Sequence, residues 1–140
     1  MSRPARAIEE AVVMAGDMTA VVQRMFDALD KADVEAGLAL IGSDAQGIDE
    51  ISRRWMRERG EMTGYVRQLM EMASDIHSEI HDVYEVEWGD TGTVTFWLEQ
   101  DYTLEGERTH ISAPTTCVLR REGGEWKFTL FHSIPLPPES

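Results

Sequence analysis

Hydrophobic positions follow two different periods along this chain. From Ala5 to Ala32 apolar residues recur at helical spacing, with Ile8, Val12, Val13, Val21, Val22, Met25, Phe26 and Leu29 on one stripe. This predicts one or two amphipathic helices with a break or restart at Gly16-Asp17. Asp33 stands where it can cap a short further helix, "VEAGLALI", ending near Gly42-Ser43. Residues 44–59, "DAQGIDEISRRWMRER", show no clean period. "GIDEIS" is compatible with a short strand, and Trp55 reads as an anchor for the segment after it. Past Gly60 the helical period returns in "EMTGYVRQLMEMA", whose Met62, Tyr65, Val66, Leu69, Met70 and Met72 share a stripe read as core.

Beyond Asp75 the period becomes two. "IHSEIHDVYEVEW", "TVTFWLEQDYTL", "RTHISAPTTCVLR" and "EWKFTLFHSI" alternate like strands and are separated by "GDTG", "EGE" and "EGG", all turn chemistry. Short connections imply an antiparallel meander. Strands of about twelve residues run roughly 40 Å and must coil in a small domain. A coiled sheet closing around helices gives an α+β fold with a conical interior.

The alternation assigns faces. Ile76, Ser78, Ile80, Asp82, Tyr84, Val86 and Trp88 form one side of the first long strand; His77, Glu79, His81, Val83, Glu85 and Glu87 form the other, built for water. Val94, Phe96, Leu98, Gln100, Tyr102 and Leu104 continue the inward row, then Thr109, Ile111, Ala113, Thr115, Cys117 and Leu119. A two-residue Gly123-Gly124 turn adds Trp126, Phe128, Leu130 and His132, unless a bulge swaps the last strand's face.

Composition narrows the function classes. The chain has 140 residues and a net charge of −13, from 26 acidic and 13 basic side chains, which repels nucleic-acid phosphates and anionic membranes. No nucleic-acid or membrane partner is expected. One cysteine, Cys117, fits a reducing cytoplasm. No apolar run reaches membrane-spanning length. The length suits one domain over residues 17–137, after a helical extension at 1–16 and before a tail at 138–140. His77, Glu79 and His81 share a strand face, but His77 and His81 sit about 13 Å apart and cannot both bind one ion. We expect no metal and no cofactor.

Gly89-Asp90 before a long strand, Arg120-Arg121-Glu122-Gly123 with Trp126 in a hairpin, and a last strand ending in His132, Ser133 and Pro135 together resemble the nuclear transport factor 2-like superfamily. The likeness runs from about Met18 to Pro137 and is nearest the SnoaL-like branch and the association domain of the calcium/calmodulin-dependent kinases. It implies a cone-shaped, cystatin-like α+β barrel, a curved antiparallel sheet around N-terminal helices, often dimeric through the sheet. Members use the pocket for isomerisation, cyclisation, hydrolysis, ligand binding or assembly, so the fold does not choose the function. The departures are informative. No complete set of aspartate base, tyrosine and protonated acid, as in ketosteroid isomerases, is legible, and Leu98, Cys117 and Ser133 stand where kinase association domains place pocket arginines.

The candidate site residues come from the inward row. Asp82 is expected opposite Gln100, with Tyr102 one step away; facing an apolar cone its carboxyl would be a general base, and at the rim a hydrated surface group. His132 either transfers protons at the end of the last strand or holds a neighbour by a hydrogen bond. Gln100 and Tyr102 orient a ligand or satisfy each other, and Trp55 and Tyr65 close the pocket mouth or pack in the core. Trp97, Phe131, Val83 and Val118 are the large apolar residues expected on the outer face, suited to a homodimer contact. The leading expectation is a cone that binds a small apolar organic molecule, with Asp82 and His132 as acid and base in cofactor-free proton transfer. The rival is a non-catalytic ligand-binding or association module; whether the chain is an enzyme stays open at this point.

Overall fold

The apolar stripe on the first helix shapes the rest of the fold. The computed structural model describes residues 16–137, and the helix expected before Gly16 lies outside them. Helix α1 (Gly16–Lys31) buries Met18, Val22, Met25 and Phe26 along one side, and Phe26 meets Phe96 of the sheet edge to face, with ring centres 6.0 Å apart. Asp33 caps α2 (Val34–Leu38), its carboxylate accepting the Ala36 N–H at 3.2 Å. Helix α3 is Glu61–Met72.

The four long strands appear where period two places them: β2 (Ala73–Trp88), β3 (Thr91–Leu104), β4 (Glu107–Glu122) and β5 (Glu125–Ser133). A further strand, β1 (Ile41–Asp49), pairs in parallel with β5. The order is β1-β5-β4-β3-β2, so the curved sheet keeps two free edges and does not close. Part of "VEAGLALI" is therefore strand, and "GIDEIS" contains the end of β1. Small residues explain why no period showed there. Gly42, Ala45 and Gly47 are buried positions of this strand, and a Cβ on Gly47 would lie 2.9 Å from the Phe131 carbonyl oxygen and 3.0 Å from Met62 Sδ.

Three register slips in the antiparallel pairings decide which side chains reach the interior. In β2 the pairing with β3 shifts by one residue beside Asp75 and again beside Asp82, and both aspartates have left-handed backbone, φ 51° and 54°. Short polar side chains tolerate that region. Each slip exchanges the faces. Ile76 and Ile80 pack against the core as expected, but beyond Asp82 the order inverts. Tyr84 and Trp88 turn to solvent, 64% and 61% exposed, and Glu85 turns in, 6% exposed. Glu85 then accepts the Thr19 N–H at 2.8 Å and the Thr19 hydroxyl, placing a carboxylate on the first turn of α1, where the helix dipole favours it. The third slip lies in β5 between Phe128 and Leu130. It sends His132 outward and leaves Phe131 and Ser133 facing in, so Phe131 is not part of the outer face.

Candidate functional site

The end of β1 builds the most unusual polar group of the interior. Parallel pairing sets Asp49 opposite Ser133, and the chain then reverses. Asp49 Oδ1 accepts the N–H groups of Ile51 at 3.0 Å and Ser52 at 2.8 Å, an aspartate turn of the usual kind. Met56 returns to bridge Gly47, with N–H···O distances of 2.8 and 3.0 Å. From α3, the Tyr65 hydroxyl donates to the Asp49 carboxylate, 2.8 Å from both oxygens. Asp49 is thus saturated with donors and acts as a fixed structural charge. Glu50 beside it has no such shell.

Glu50 lies on the wall of a cavity of about 70 Å³, enclosed between α1, β1, α3 and the concave face of the sheet. That is room for on the order of five waters, or a small organic molecule. Met25, Phe26, Leu29, Met62, Leu69 and Phe128 make up much of the wall. Its polar members are Gln46, Asp49, Glu50, Tyr65, Gln100 and Ser133, and no lysine, arginine or histidine among the described residues lines it. Burial, then the Asp49 charge, pushes the Glu50 carboxyl up from 4.5 to about 7; its own backbone N–H and the nearby Tyr102 hydroxyl oppose this and are outweighed. Tyr102 is itself pushed up to about 12, first by burial and then by Glu50. Burial and Asp49 hold the Tyr65 phenol above its ordinary range. At neutral pH the site therefore offers a carboxyl poised between acid and base, beside two tyrosines that keep their protons.

The structure brings together some of the expected residues and separates others. Tyr65 and Gln100 line the cavity. Tyr102 is buried and neighbours Glu50 from behind the wall. Gln100 pairs with Ser78, four residues before Asp82. Asp82 and His132 do not face the cone: both are exposed and border an open groove on the outer face with Thr95, Trp97, Pro114 and Thr116. The slips at Asp82 and in β5 are the reason. Trp55 is also outside, 37% exposed, its ring 5.9 Å from that of His132 and covered by the Arg57 guanidinium. Glu50 escaped the sequence reading, although two adjacent acids between Ile48 and Ile51 form an irregular mark in an apolar setting. Among the described residues no group of three or more His, Cys, Asp or Glu is placed to hold a metal ion, and no helix is long and apolar enough to cross a membrane.

A cone of this build is shared by a class of solved structures. A candidate dehydratase of the NTF2-like family from Streptomyces avermitilis aligns over 89% of this chain and 97% of its own, with a TM-score of 0.79 and 17% identity. A ketosteroid isomerase-like protein from Erwinia carotovora atroseptica aligns over 88% and 96%, with a TM-score of 0.72 and 20% identity. The association domain of C. elegans CaMKII aligns over 86% and 95%, with a TM-score of 0.70 and 16% identity. At these identities the likeness establishes the fold. The sequence goes further: the model of the SnoaL-like domain matches residues 18–137, and the chain belongs to that family. No curated protein matches it.

Proposed function

We propose that the cone binds a small, largely apolar organic molecule and that Glu50 is the general base of a cofactor-free proton transfer on it, of the isomerase, cyclase or hydrolase type. One observation carries this reading. A carboxyl pushed up to about 7 by burial lies on an apolar cavity wall that carries no lysine, arginine or histidine among the described residues. A buried carboxyl of this kind weakens the fold whenever it is charged, and groups so perturbed cluster at functional sites. As carboxylate, Glu50 takes a proton from a carbon beside a carbonyl, and the electron pair moves onto the carbonyl oxygen. As carboxylic acid, it returns the proton elsewhere on the same molecule, so the enzyme ends unchanged. Asp49 keeps Glu50 poised, and Tyr65 keeps Asp49 in place.

The test is turnover of a panel of small ketones and lactones by the wild type and by Glu50→Gln. We expect a loss of about 10²- to 10⁴-fold and a wild-type kcat/KM that rises with pH through about 7. Turnover that survives the substitution removes Glu50 from the chemistry.

We further propose a cytoplasmic homodimer joined through the outer face, where Val83, Tyr84 and Trp97 stand beside the open groove. Sedimentation of the wild type should give twice the chain mass, and Trp97→Arg should shift it toward monomer. A wild-type monomer at micromolar concentration refutes the dimer.

A further inference from the structure

A chain of hydrogen bonds fixes which end of Gln100 faces the cavity. Asp30, near the end of α1, accepts the backbone N–H of Ser78 on Oδ2 at 3.0 Å and the Ser78 hydroxyl on Oδ1 at 2.7 Å. A serine hydroxyl has one proton. Once that proton is given to Asp30, Ser78 Oγ can only accept from Gln100, at 2.9 Å. The Gln100 atom turned to Ser78 is therefore the amide nitrogen, an assignment the network itself dictates. Ser78 is buried, and it is the β2 residue paired with Gln100, so this arrangement is built into the register of the sheet.

One Gln100 amide proton and the Ser78 hydroxyl proton are thus committed away from the cavity, from Gln100 to Ser78 to Asp30, and the second amide proton stays on the nitrogen turned to Ser78, which leaves Oε1 as the other end of the group. Gln100 lines the cavity and makes no other side-chain hydrogen bond among the described residues, which leaves its Oε1 as an acceptor for whatever occupies the space. The rest of the wall also presents acceptors, beside the Gln46 amide and the Ser133 hydroxyl. Tyr65 gives its proton to Asp49, and Asp49 and Glu50 present oxygen and negative charge. No cation among the described residues offsets them on the wall. An anionic ligand would meet like charge in a poorly hydrated space, and a ligand with acceptors alone would leave Gln100 Oε1 unpaired.

We infer that the cavity selects an uncharged ligand that bears, besides the carbonyl used in the proton transfer, a hydroxyl group that donates to Gln100 Oε1, and rejects ligands that carry a carboxylate. This rests on the reading of the cone as a small-molecule site and adds the polarity of what enters. Gln100 is then a specificity-determining residue, and Ser78 and Asp30 are positioning residues that act through it.

The test uses cyclohexanol, cyclohexanone and cyclohexanecarboxylate as probes. They are titrated at about pH 8, where Glu50 is mostly ionised, and followed by the methyl NMR signals of Met25 and Met62 on the wall. We expect the alcohol to bind about 5- to 10-fold tighter than the ketone, as one hydrogen bond allows, and the carboxylate to leave the signals unmoved. In Gln100→Leu the alcohol and ketone should bind within about twofold of each other, with the ketone retained. Ser78→Ala frees the amide to turn its N–H₂ group inward, so the preference should move toward the ketone even if the leucine variant fails to fold. Equal wild-type binding of alcohol and ketone, binding of the carboxylate, or a preference that survives both substitutions overturns the inference and leaves the small-molecule reading standing. If neither neutral probe moves the signals, the small-molecule reading falls and takes the inference with it.

Discussion

Glu50 and Glu99 lie on the two sides of the same sheet, and their acidities are displaced in opposite directions. On the outer face, Glu99 Oε2 accepts from His81 at 3.0 Å and from the Ser112 hydroxyl at 2.7 Å, while His110 reaches Oε1 at 3.3 Å. The His81 hydrogen bond, and next that of Ser112, holds its carboxyl below the usual range. Inside the cone Glu50 has burial and a neighbouring charge against it and little to offset them, and its carboxyl rises to about 7. The chain is acidic throughout, with a net charge of −13, so overall charge does not separate the two. The difference is whether donors have been aimed at the carboxylate. The outer glutamate is stabilised as an ion, whereas the inner one is held where ionisation is unfavourable, which makes it usable as a base.

The largest effect that tests this contrast is on stability. Glu50 is near 7 in the folded chain, against 4.5 for a freely solvated glutamate, so between those values the folded chain binds more protons than the unfolded chain. Stability contributed by this group therefore falls as pH rises through that window, and the penalty is complete above about 7. Glu50→Gln should match the wild type below about pH 4.5 and exceed it by on the order of 2 kcal/mol at about pH 8. Urea unfolding at several pH values reads the difference, in which contributions common to both proteins cancel. A variant less stable than wild type at the alkaline end contradicts the account.

A finer test separates the two causes acting on Glu50. Asp49→Asn keeps an oxygen for the Ile51 and Ser52 N–H groups and for Tyr65 but removes the charge. Burial ranks ahead of Asp49 among the causes, so the Glu50 titration, tracked by carboxyl carbon NMR, should move down yet stay above the ordinary 4.5. A return to the ordinary glutamate value would show that the charge, and not the cavity, sets the acidity.

The same contrast explains what was legible in the sequence. Long apolar alternations survive as signals wherever a strand is straight, so β3 and β4 bury the expected inward rows, Val94 to Tyr102 and Ile111 to Leu119. The Asp82 and His132 placements failed because a one-residue slip inverts every later side chain, and slips are carried by local backbone choices such as the left-handed aspartates. Nothing in period two marks them. β1 was obscure for another reason: its inward positions include glycine and alanine, suited to close approach to β5 and α3, and such residues carry little hydrophobic contrast. Tyr65 and Gln100 could be found because they sit within strong patterns. Glu50 could not, since its environment is assembled from α1, α3 and both halves of the sheet.

The smallest effect belongs to the outer face and has a different pH signature. Glu99 is depressed when folded, so its contribution is present above the ordinary glutamate value and is lost as pH falls through the folded one. His110 is raised, first by its hydrogen bond to Asp101 at 2.8 Å, so its contribution is complete below about 6.5 and is lost as pH rises through its folded value. The network is therefore most stabilising between about pH 4.5 and 6.5, the interval in which Glu50 is still largely neutral in the folded chain. His110 is largely solvated and Glu99 partly so, and surface pairs of this kind contribute at most about 1 kcal/mol, less when salt screens them. Glu99→Gln should thus lower stability slightly at about pH 5.5 and have less effect at about pH 8 or in roughly 1 M salt, whereas the gain from Glu50→Gln grows toward alkaline pH and resists salt. If Glu99→Gln matched Glu50→Gln in size or in salt resistance, Glu99 would be dry in the working protein, and the subunit contact proposed at Val83, Tyr84 and Trp97 would have to reach across the Glu99 network as well.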